Sequence, residues 1–248
     1  MNKMWKTARL SIALVIIFAL VGCGASASEL TDDSETSQTA NNEGAIESRD
    51  DADTETESTT GQESTDAGNN KGNDTLVVYF SRTGEQYKVG VIDKGNTAIV
   101  AEMISEQIGA DLWEVIPVED IYPTDSYNNL IDVAKKEQND NTRPAYEGEV
   151  PDLSQYSTIF IGAPVWWGDW PMIMYTFFEN NREGLAGKTL IPFSTHEGSG
   201  LSGFDKKLSS ACPNSMVGQG LAIRGNDCQN DQDSVRSSVK EWLVGLGY

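Results

Sequence analysis

The chain has 248 residues and carries 18 Lys and Arg against 38 Asp and Glu, which gives a formal net charge of −20. The net charge is +3 for residues 1–28, −12 for residues 29–74 and −11 for residues 75–248. Nucleic-acid binding is excluded, because phosphate contacts need a basic face that no segment after residue 28 supplies. Only residues 75–248 have a globular composition, so the sequence predicts one domain of α/β size instead of two.

The N-terminal segment predicts export. Three basic residues precede an apolar run over residues 10–21, which is shorter than the roughly 20 residues that span a bilayer and is typical of a secretory signal. The run ends in the letters LVGC, which resemble the lipobox of bacterial lipoproteins. This resemblance implies a signal peptide of residues 1–22, a lipid on Cys23 and a location outside the cytoplasm, anchored to the cell membrane. An ordinary signal peptide with an incidental cysteine is the alternative.

The segment after Cys23 predicts a disordered acidic tether that reaches residue 74. From residue 29 onwards it consists mostly of Ser, Thr, Asp, Glu, Asn and Gly, with Leu30 and Ile46 as its large apolar residues. Such a segment buries too little apolar surface to offset its chain entropy. As a flexible coil it would span roughly 35 to 40 Å, which is enough to lift a domain clear of a membrane surface.

Residues 75–248 alternate between strand and helix patterns. The predicted strands are 75–81, 112–116, 157–163, 188–194 and 216–223. The predicted helices are 97–108, 126–138, one that begins at Pro171, 202–210 and 231–246. Apolar strands that alternate with helices of this length predict a doubly wound parallel sheet with helices on both faces. Ligands bind beyond the carboxyl ends of such strands, so the loops after the first, third and fourth strands are the candidate sites.

The loop after the first strand predicts an anion site. Ser81-Arg82-Thr83-Gly84 follows the strand, residues 85–95 intervene, and Asn96-Thr97 opens the first helix. Hydroxyl groups and free backbone N–H groups at a helix N-terminus favour a phosphate. The letters YFSRTG after an N-terminal strand, with NT at the helix start, resemble the phosphate loop of flavodoxins. The motif is contiguous in that family, whereas here Gln86 stands at the position of a Thr and residues 85–95 are inserted.

The flavodoxin resemblance implies a five-stranded sheet of order 2-1-3-4-5 and an FMN cofactor. It implies phosphate contacts from Ser81, Thr83, Gly84, Asn96 and Thr97, with Arg82 as an added cation. Tyr87 within the insertion could cap the flavin ring, and a solvent-exposed loop position is the alternative.

The loops after the third and fourth strands are the ones that border the flavin ring in the resembling family. The first contains three tryptophans, of which Trp166 or Trp167 is expected to stack on the ring while Trp170 packs structurally. The second is rich in glycine, which permits close backbone approach to the ring. The further cofactor-binding residues expected in the two loops are Pro164, Val165, Gly168, Thr195, His196, Gly198, Ser199 and Gly200.

His196 is the single histidine of the chain and a possible proton-handling residue, although a lone histidine is more often a satisfied surface group. With one His and no CxxC or HExxH pattern, the sequence excludes the common zinc sites. A P-loop template over residues 90–97 carries Asn96 in place of its lysine, so an NTPase is disfavoured. The letters GSGLSG at residues 198–203 match a dinucleotide fingerprint, yet they do not open a new βαβ unit and no acidic residue follows at about 20 positions.

Cys212 and Cys228 are predicted to stay unbridged, because the proposed fold places them at opposite ends of the fifth strand. That separation is roughly 20 Å, and a disulfide needs Cα atoms within about 7 Å.

Three functions follow from this pattern. The first is an FMN-binding electron-transfer protein whose redox partner, a protein or a small acceptor, is unknown. The second is an FMN-dependent reductase of quinones or other small acceptors, so the sequence leaves open whether the chain is an enzyme. The third, from another class, is a cofactor-free binding lipoprotein in which the insertion has spoiled the phosphate site.

Overall fold

The computed structural model describes residues 74–248. The predicted signal peptide, the lipid site at Cys23 and the tether up to residue 73 lie outside these residues and stay predictions. Among residues 74–248, no helix combines the length and apolar character that a membrane crossing requires.

The described residues form ten strands and seven helices, together with a single turn of 3-10 helix at Leu153–Gln155. The strands are β1 Thr75–Tyr79, β2 Gly84–Gln86, β3 Gly90–Ile92, β4 Asp111–Glu114, β5 Ile116–Pro117, β6 Tyr146–Glu147, β7 Thr158–Pro164, β8 Thr189–His196, β9 Met216–Val217 and β10 Leu221–Arg224. The helices are α1 Asn96–Ile108, α2 Tyr127–Asp140, α3 Met172–Asn180, α4 Arg182–Leu185, α5 Phe204–Ala211, α6 Gly225–Asn230 and α7 Gln232–Leu246.

The central sheet has the strand order β10-β8-β7-β1-β4, and all its pairs are parallel. When these five strands are numbered by their order in the chain and read from β4 to β10, their arrangement is 2-1-3-4-5, which confirms the prediction. The five residues of β1 are all buried, as expected of a strand that is covered on both faces.

Two apolar cores cover the two faces of the sheet. On one face α2, α3, α4 and α5 pack side chains such as Leu130, Phe177 and Phe204 against β1 and β7. On the other face α1, α6 and α7 pack residues such as Ile104 and Val239 against the same strands. Helices on both faces are what the alternating sequence pattern predicts.

The fifth strand differs from its prediction, because residues 216–223 do not form one strand. β9 and β10 each pair with β8, and residues 218–220 between them belong to neither strand. The carbonyl of Leu190 accepts a hydrogen bond from the N–H of Gly218, so the polar backbone groups of Leu190 point away from β7 and toward β9 and β10. Pro192 is two residues further along β8, and its backbone nitrogen therefore points to the same side. Proline has no N–H to donate there, which explains the interruption.

The insertion at residues 85–95 forms an antiparallel hairpin of β2 and β3. The N–H of Glu85 donates to the carbonyl of Thr124 at 2.7 Å, and the Glu85 carboxylate accepts from the N–H of Tyr127 at 2.6 Å. These bonds join the hairpin to the start of α2.

Candidate functional site

A cleft of about 610 Å³ opens at the carboxyl ends of β1, β7 and β8. Its walls come from the β2–β3 hairpin, the starts of α1, α2 and α6, and the loops that follow β7 and β8. The lining residues are Ser81, Arg82, Gln86, Tyr87, Val89, Asn96, Thr97, Tyr127, Leu130, Pro164, Val165, Trp166, Thr195, His196, Glu197 and Gly225.

The end of β1 and the start of α1 are held together at Ser81. Its Oγ accepts a hydrogen bond from the backbone N–H of Ala98 at 3.0 Å. Gly95 makes this approach possible, because a Cβ at that position would lie 2.1 Å from the Ser81 Oγ and 2.8 Å from the Arg82 carbonyl oxygen. The glycine therefore brings the first turn of α1 against the loop after β1.

The N-terminus of α1 faces the cleft, and the side-chain oxygen that bonds to its first turn comes from Ser81 and not from the cap residue. Gly95 occupies the cap position and has no side chain to accept a bond from the first-turn N–H groups. Thr97, which is buried, pairs its hydroxyl with that of Thr195 at 2.8 Å, and Asn96 accepts a bond from Gln229 at 2.7 Å. A helix N-terminus with hydroxyl groups beside it is suited to an anion, so these residues fit a phosphate.

Arg82 lines the cleft, and its side chain bonds to backbone carbonyl groups of the surrounding loops. Its guanidinium donates to the carbonyl of Pro123 through Nε at 2.9 Å and through Nη2, and to the carbonyl of Glu85 through Nη1 at 2.6 Å. The side chain is buried, and three of its five N–H groups are used in these bonds. Arg82 thus ties the loop after β1 to the hairpin and to the loop before α2.

The hairpin supplies an aromatic wall of the cleft. The ring of Tyr87 stacks on that of Tyr127, with ring centroids 5.5 Å apart and planes 24° from parallel. Gln86 and Val89 line the cleft beside them, and the Gln86 amide donates to the Thr83 carbonyl at 3.1 Å. The insertion therefore closes one side of the cleft.

The three tryptophans of the loop after β7 have three different environments. Trp166 lines the cleft and meets Phe80 and Tyr122 edge-on, at centroid distances of 5.4 and 4.9 Å. Trp167 is 50% exposed and turns away to α2, where its Nε1 donates to the carbonyl of Ile131 at 2.9 Å. Trp170 is buried against Phe204, with ring centroids 3.6 Å apart, which confirms its structural role.

His196 lies at the end of β8 and lines the cleft. Its Nδ1 accepts a hydrogen bond from the N–H of Gly198 at 2.9 Å, so the proton of the neutral ring lies on Nε2. Burial lowers the pKa of His196, which keeps the ring neutral at about pH 7. The next residue, Glu197, accepts a bond from the N–H of Asn226 at 2.7 Å and fixes the start of α6.

The structure brings together nine of the predicted site residues in the cleft lining: Ser81, Arg82, Asn96, Thr97, Pro164, Val165, Trp166, Thr195 and His196. The other seven lie outside that lining: Thr83, Gly84, Trp167, Gly168, Gly198, Ser199 and Gly200. The roles of all sixteen residues toward a cofactor stay predictions.

Sequence reasoning missed Val89, Tyr127, Leu130, Glu197 and Gly225 as lining residues. Tyr127 and Leu130 belong to a helix that was predicted, and their spacing of three residues places them on one face of it. Glu197 adjoins a predicted site residue, but nothing in the local pattern near Gly225 distinguishes it from other turn glycines.

Residues 74–243 match the flavodoxin family. No curated protein matches the chain. A proposed flavoprotein from Bacteroides eggerthii DSM 20697 is 29% identical over 71% of this chain and 98% of its own, with a TM-score of 0.55. One from Bacteroides uniformis ATCC 8492 is 31% identical over 68% of this chain and 99% of its own, with a TM-score of 0.53. The sheet order, the cleft at its carboxyl edge and these matches together show that the chain belongs to the flavodoxin family.

Proposed function

We propose that the domain binds FMN non-covalently in the cleft and serves in electron transfer. The observation that carries this proposal is the N-terminus of α1, where the cap residue Gly95 has no side chain and which opens into the same cleft as Trp166 and the loop after β8. A phosphate is favoured at one end of the cleft and a flat ring between its aromatic and apolar walls.

The residues of the cleft divide by position. Ser81, Asn96 and Thr97 surround the start of α1 and would hold the phosphate through hydroxyl, amide and backbone N–H groups. Val165 and Trp166 border the space on the β7 side, and Tyr87 and Tyr127 border it on the hairpin side. His196 presents a neutral ring with its proton on Nε2, which is a donor for a carbonyl oxygen or ring nitrogen.

Bound FMN supplies the redox chemistry, and the polypeptide holds and surrounds it. The aromatic walls exclude water from the part of the cleft that they cover. Arg82 acts indirectly, because its bonds to Pro123 and Glu85 keep the hairpin closed against the loop before α2. The redox partner is a protein or small acceptor that reaches the open side of the cleft.

We also propose that the domain works outside the cytoplasm, held to the membrane by a lipid on Cys23. The basic and apolar leader, the lipobox-like letters LVGC and the acidic segment up to residue 73 support this location. Mass spectrometry of the chain from its native membrane tests it. A diacylglyceryl group on an N-terminal Cys23 is expected, and an N-terminus at any other residue would contradict the proposal.

Titration of the cofactor-free chain with FMN tests the central proposal. We expect saturable quenching of flavin fluorescence at a ratio of one to one. Riboflavin, which lacks the phosphate, serves as the matched ligand and should bind at least about tenfold more weakly, because the α1 N-terminus then has no anion to hold. Free FMN at micromolar protein would contradict the proposal, and equal affinity for riboflavin would contradict the placement of the phosphate.

A further inference from the structure

A second cavity of about 430 Å³ lies between α2 and the loop after β7. We name it the side cavity. Its lining residues are Tyr127, Leu130, Ile131, Ala134, Val165, Trp166 and Trp167. Four of them, Tyr127, Leu130, Val165 and Trp166, also line the cleft, so the two spaces are neighbours that share a wall.

The lining of the side cavity contains no charged side chain. Its α2 wall follows the spacing of one helix face, with Tyr127 first and Ala134 seven positions later. Leu130 and Ala134 are buried and form the floor. Three aromatic rings, from Tyr127, Trp166 and Trp167, form the rest of the wall together with Ile131 and Val165.

Trp167 is held in a backbone conformation that bulky residues disfavour. Its φ is +52° and that of Gly168 is +73°, while Trp166 and Asp169 exchange two backbone hydrogen bonds of 3.0 Å. A two-residue turn with both φ values positive favours Asn-Gly, so a tryptophan at its first position is unusual.

The surroundings of Trp167 hold it in place. Its indole N–H bonds to the Ile131 carbonyl, its own carbonyl accepts from Gln138 at 3.4 Å, and the Lys135 ammonium lies 4.9 Å from the ring centroid. A disfavoured conformation that neighbouring residues maintain is a sign of a functional site. Here it keeps a large flat ring at the edge of the side cavity.

We propose that the side cavity binds an uncharged, flat compound of one or two rings, of the quinone class. The lining has no charged side chain to replace the water of a charged ligand, and the Lys135 ammonium is already in contact with the Trp167 ring. Aromatic walls favour a planar ring. The use of the bound compound as an electron acceptor rests on the proposed FMN function, whereas the binding site itself does not.

Equilibrium dialysis of menadione against the FMN-free Cys23→Ser chain tests the site, because menadione also adds to exposed thiols and the other two cysteines are buried. We expect saturable binding at a ratio of one to one. Lawsone, a naphthoquinone of similar size that is anionic at about pH 7, should bind at least about tenfold more weakly. Lack of saturable menadione binding, or equal affinity for lawsone, would overturn the proposal.

Variants locate the ligand. Ala134→Leu fills the floor of the side cavity and should weaken menadione binding by about tenfold or more. Asn139→Leu places the same side chain on the exposed side of α2 and should leave the affinity within about twofold. If Ala134→Leu does not fold, Trp167→Asn serves instead, because asparagine suits the turn and removes the outer wall. A folded variant of either kind with unchanged affinity would overturn the proposal.

Menadione binding measured at saturating FMN distinguishes the proposed ligand site in the side cavity from the proposed FMN site in the cleft. If the chain binds FMN and the menadione affinity stays within about twofold, both sites exist side by side. If FMN abolishes menadione binding, the side cavity belongs to the flavin ring and the inference is wrong. Menadione binding without FMN binding would contradict the proposed function and leave the side cavity supported.

Discussion

Gly95 can pack against the loop after β1 because it has no side chain. It lies at the cap of α1, and its α-carbon faces the loop after β1 so closely that a Cβ would also meet the Arg82 amide nitrogen at 2.9 Å. Its φ of −66° is open to any residue, so close packing and not backbone conformation requires the glycine here. The close packing of the loop after β1 against α1 therefore requires a glycine at this position.

We expect Gly95→Ala to lower the affinity for FMN by at least about tenfold, because the new methyl group must push Ser81 or Arg82 away from the helix start. Fluorescence titration measures the loss. The matched control is Gly245→Ala in α7, where no atom beyond the adjoining residues and the helix's own backbone lies within 4 Å of the added Cβ. That variant should keep the FMN affinity and gain about 1 kcal/mol of unfolding free energy. Equal FMN affinity in both variants would contradict the role of Gly95.

At the scale of elements, α2 contributes both to the cleft and to one of the two cores. Tyr127 and Leu130 from its first turn line the cleft, whereas Glu137 near its end is a buried carboxyl group. The Tyr122 hydroxyl donates to Glu137 at 3.2 Å, and the Tyr122 ring contacts Trp166 edge-on. Burial raises the pKa of Glu137 to about 7, although the Tyr122 bond acts in the opposite direction.

This raised pKa predicts a pH-dependent stability. A neutral Glu137 is favoured in the folded chain. Its contribution to the free energy of unfolding is therefore complete below the unfolded pKa of about 4.5 and is lost as the pH rises to about 7. The free energy of unfolding of the wild type should fall by about 2 to 3 kcal/mol relative to Glu137→Gln over this range. Guanidinium titrations at pH values from about 4 to 8 measure it.

Glu119→Gln, at an exposed position, is the control for Glu137→Gln, and its stability should follow that of the wild type at each pH. A parallel pH profile for the wild type and Glu137→Gln would show that folding leaves the pKa of this carboxyl group unchanged and would contradict the prediction.

At the scale of the whole molecule, the sheet separates the two cysteines of the described residues. Cys212 belongs to the core with α3 and α5, and Cys228 to the core with α1 and α7. Both are free thiols, as the sequence predicted, and they lie on opposite faces of the sheet as well as after different strands. Burial raises the pKa of Cys212 to about 11 and that of Cys228 to about 12.

Both thiols should therefore be inert while the sheet and its helices stay packed, since the thiolate is the reactive form. In a Cys23→Ser chain, a thiol reagent such as DTNB should find no reactive group at about pH 8 and two after unfolding in guanidinium without reductant. Two fast-reacting thiols in the folded chain would contradict the packing of both cores. None after unfolding would reveal a disulfide.

The main elements could be predicted because local patterns encode them. The apolar run after residue 74 identifies β1, and the spacing of Val235, Val239 and Trp242 identifies the last helix. Pro192 is the local reason for the interruption of the fifth strand, yet its effect depends on which neighbour its backbone faces. That direction is a property of the assembled sheet and was not predicted.

The parallel sheet and the edge at which Ser81, Trp166 and His196 lie could be predicted from the residue pattern, and the strand order from the flavodoxin resemblance. The bond from Arg82 to Pro123, the closure of the insertion over the cleft and the turn of Trp167 to α2 appear only in the folded chain. The difference lies in the range of the interactions. Strand and helix patterns repeat over a few residues, whereas these three features depend on contacts with backbone groups that are distant in sequence or on a hairpin too short to show a period.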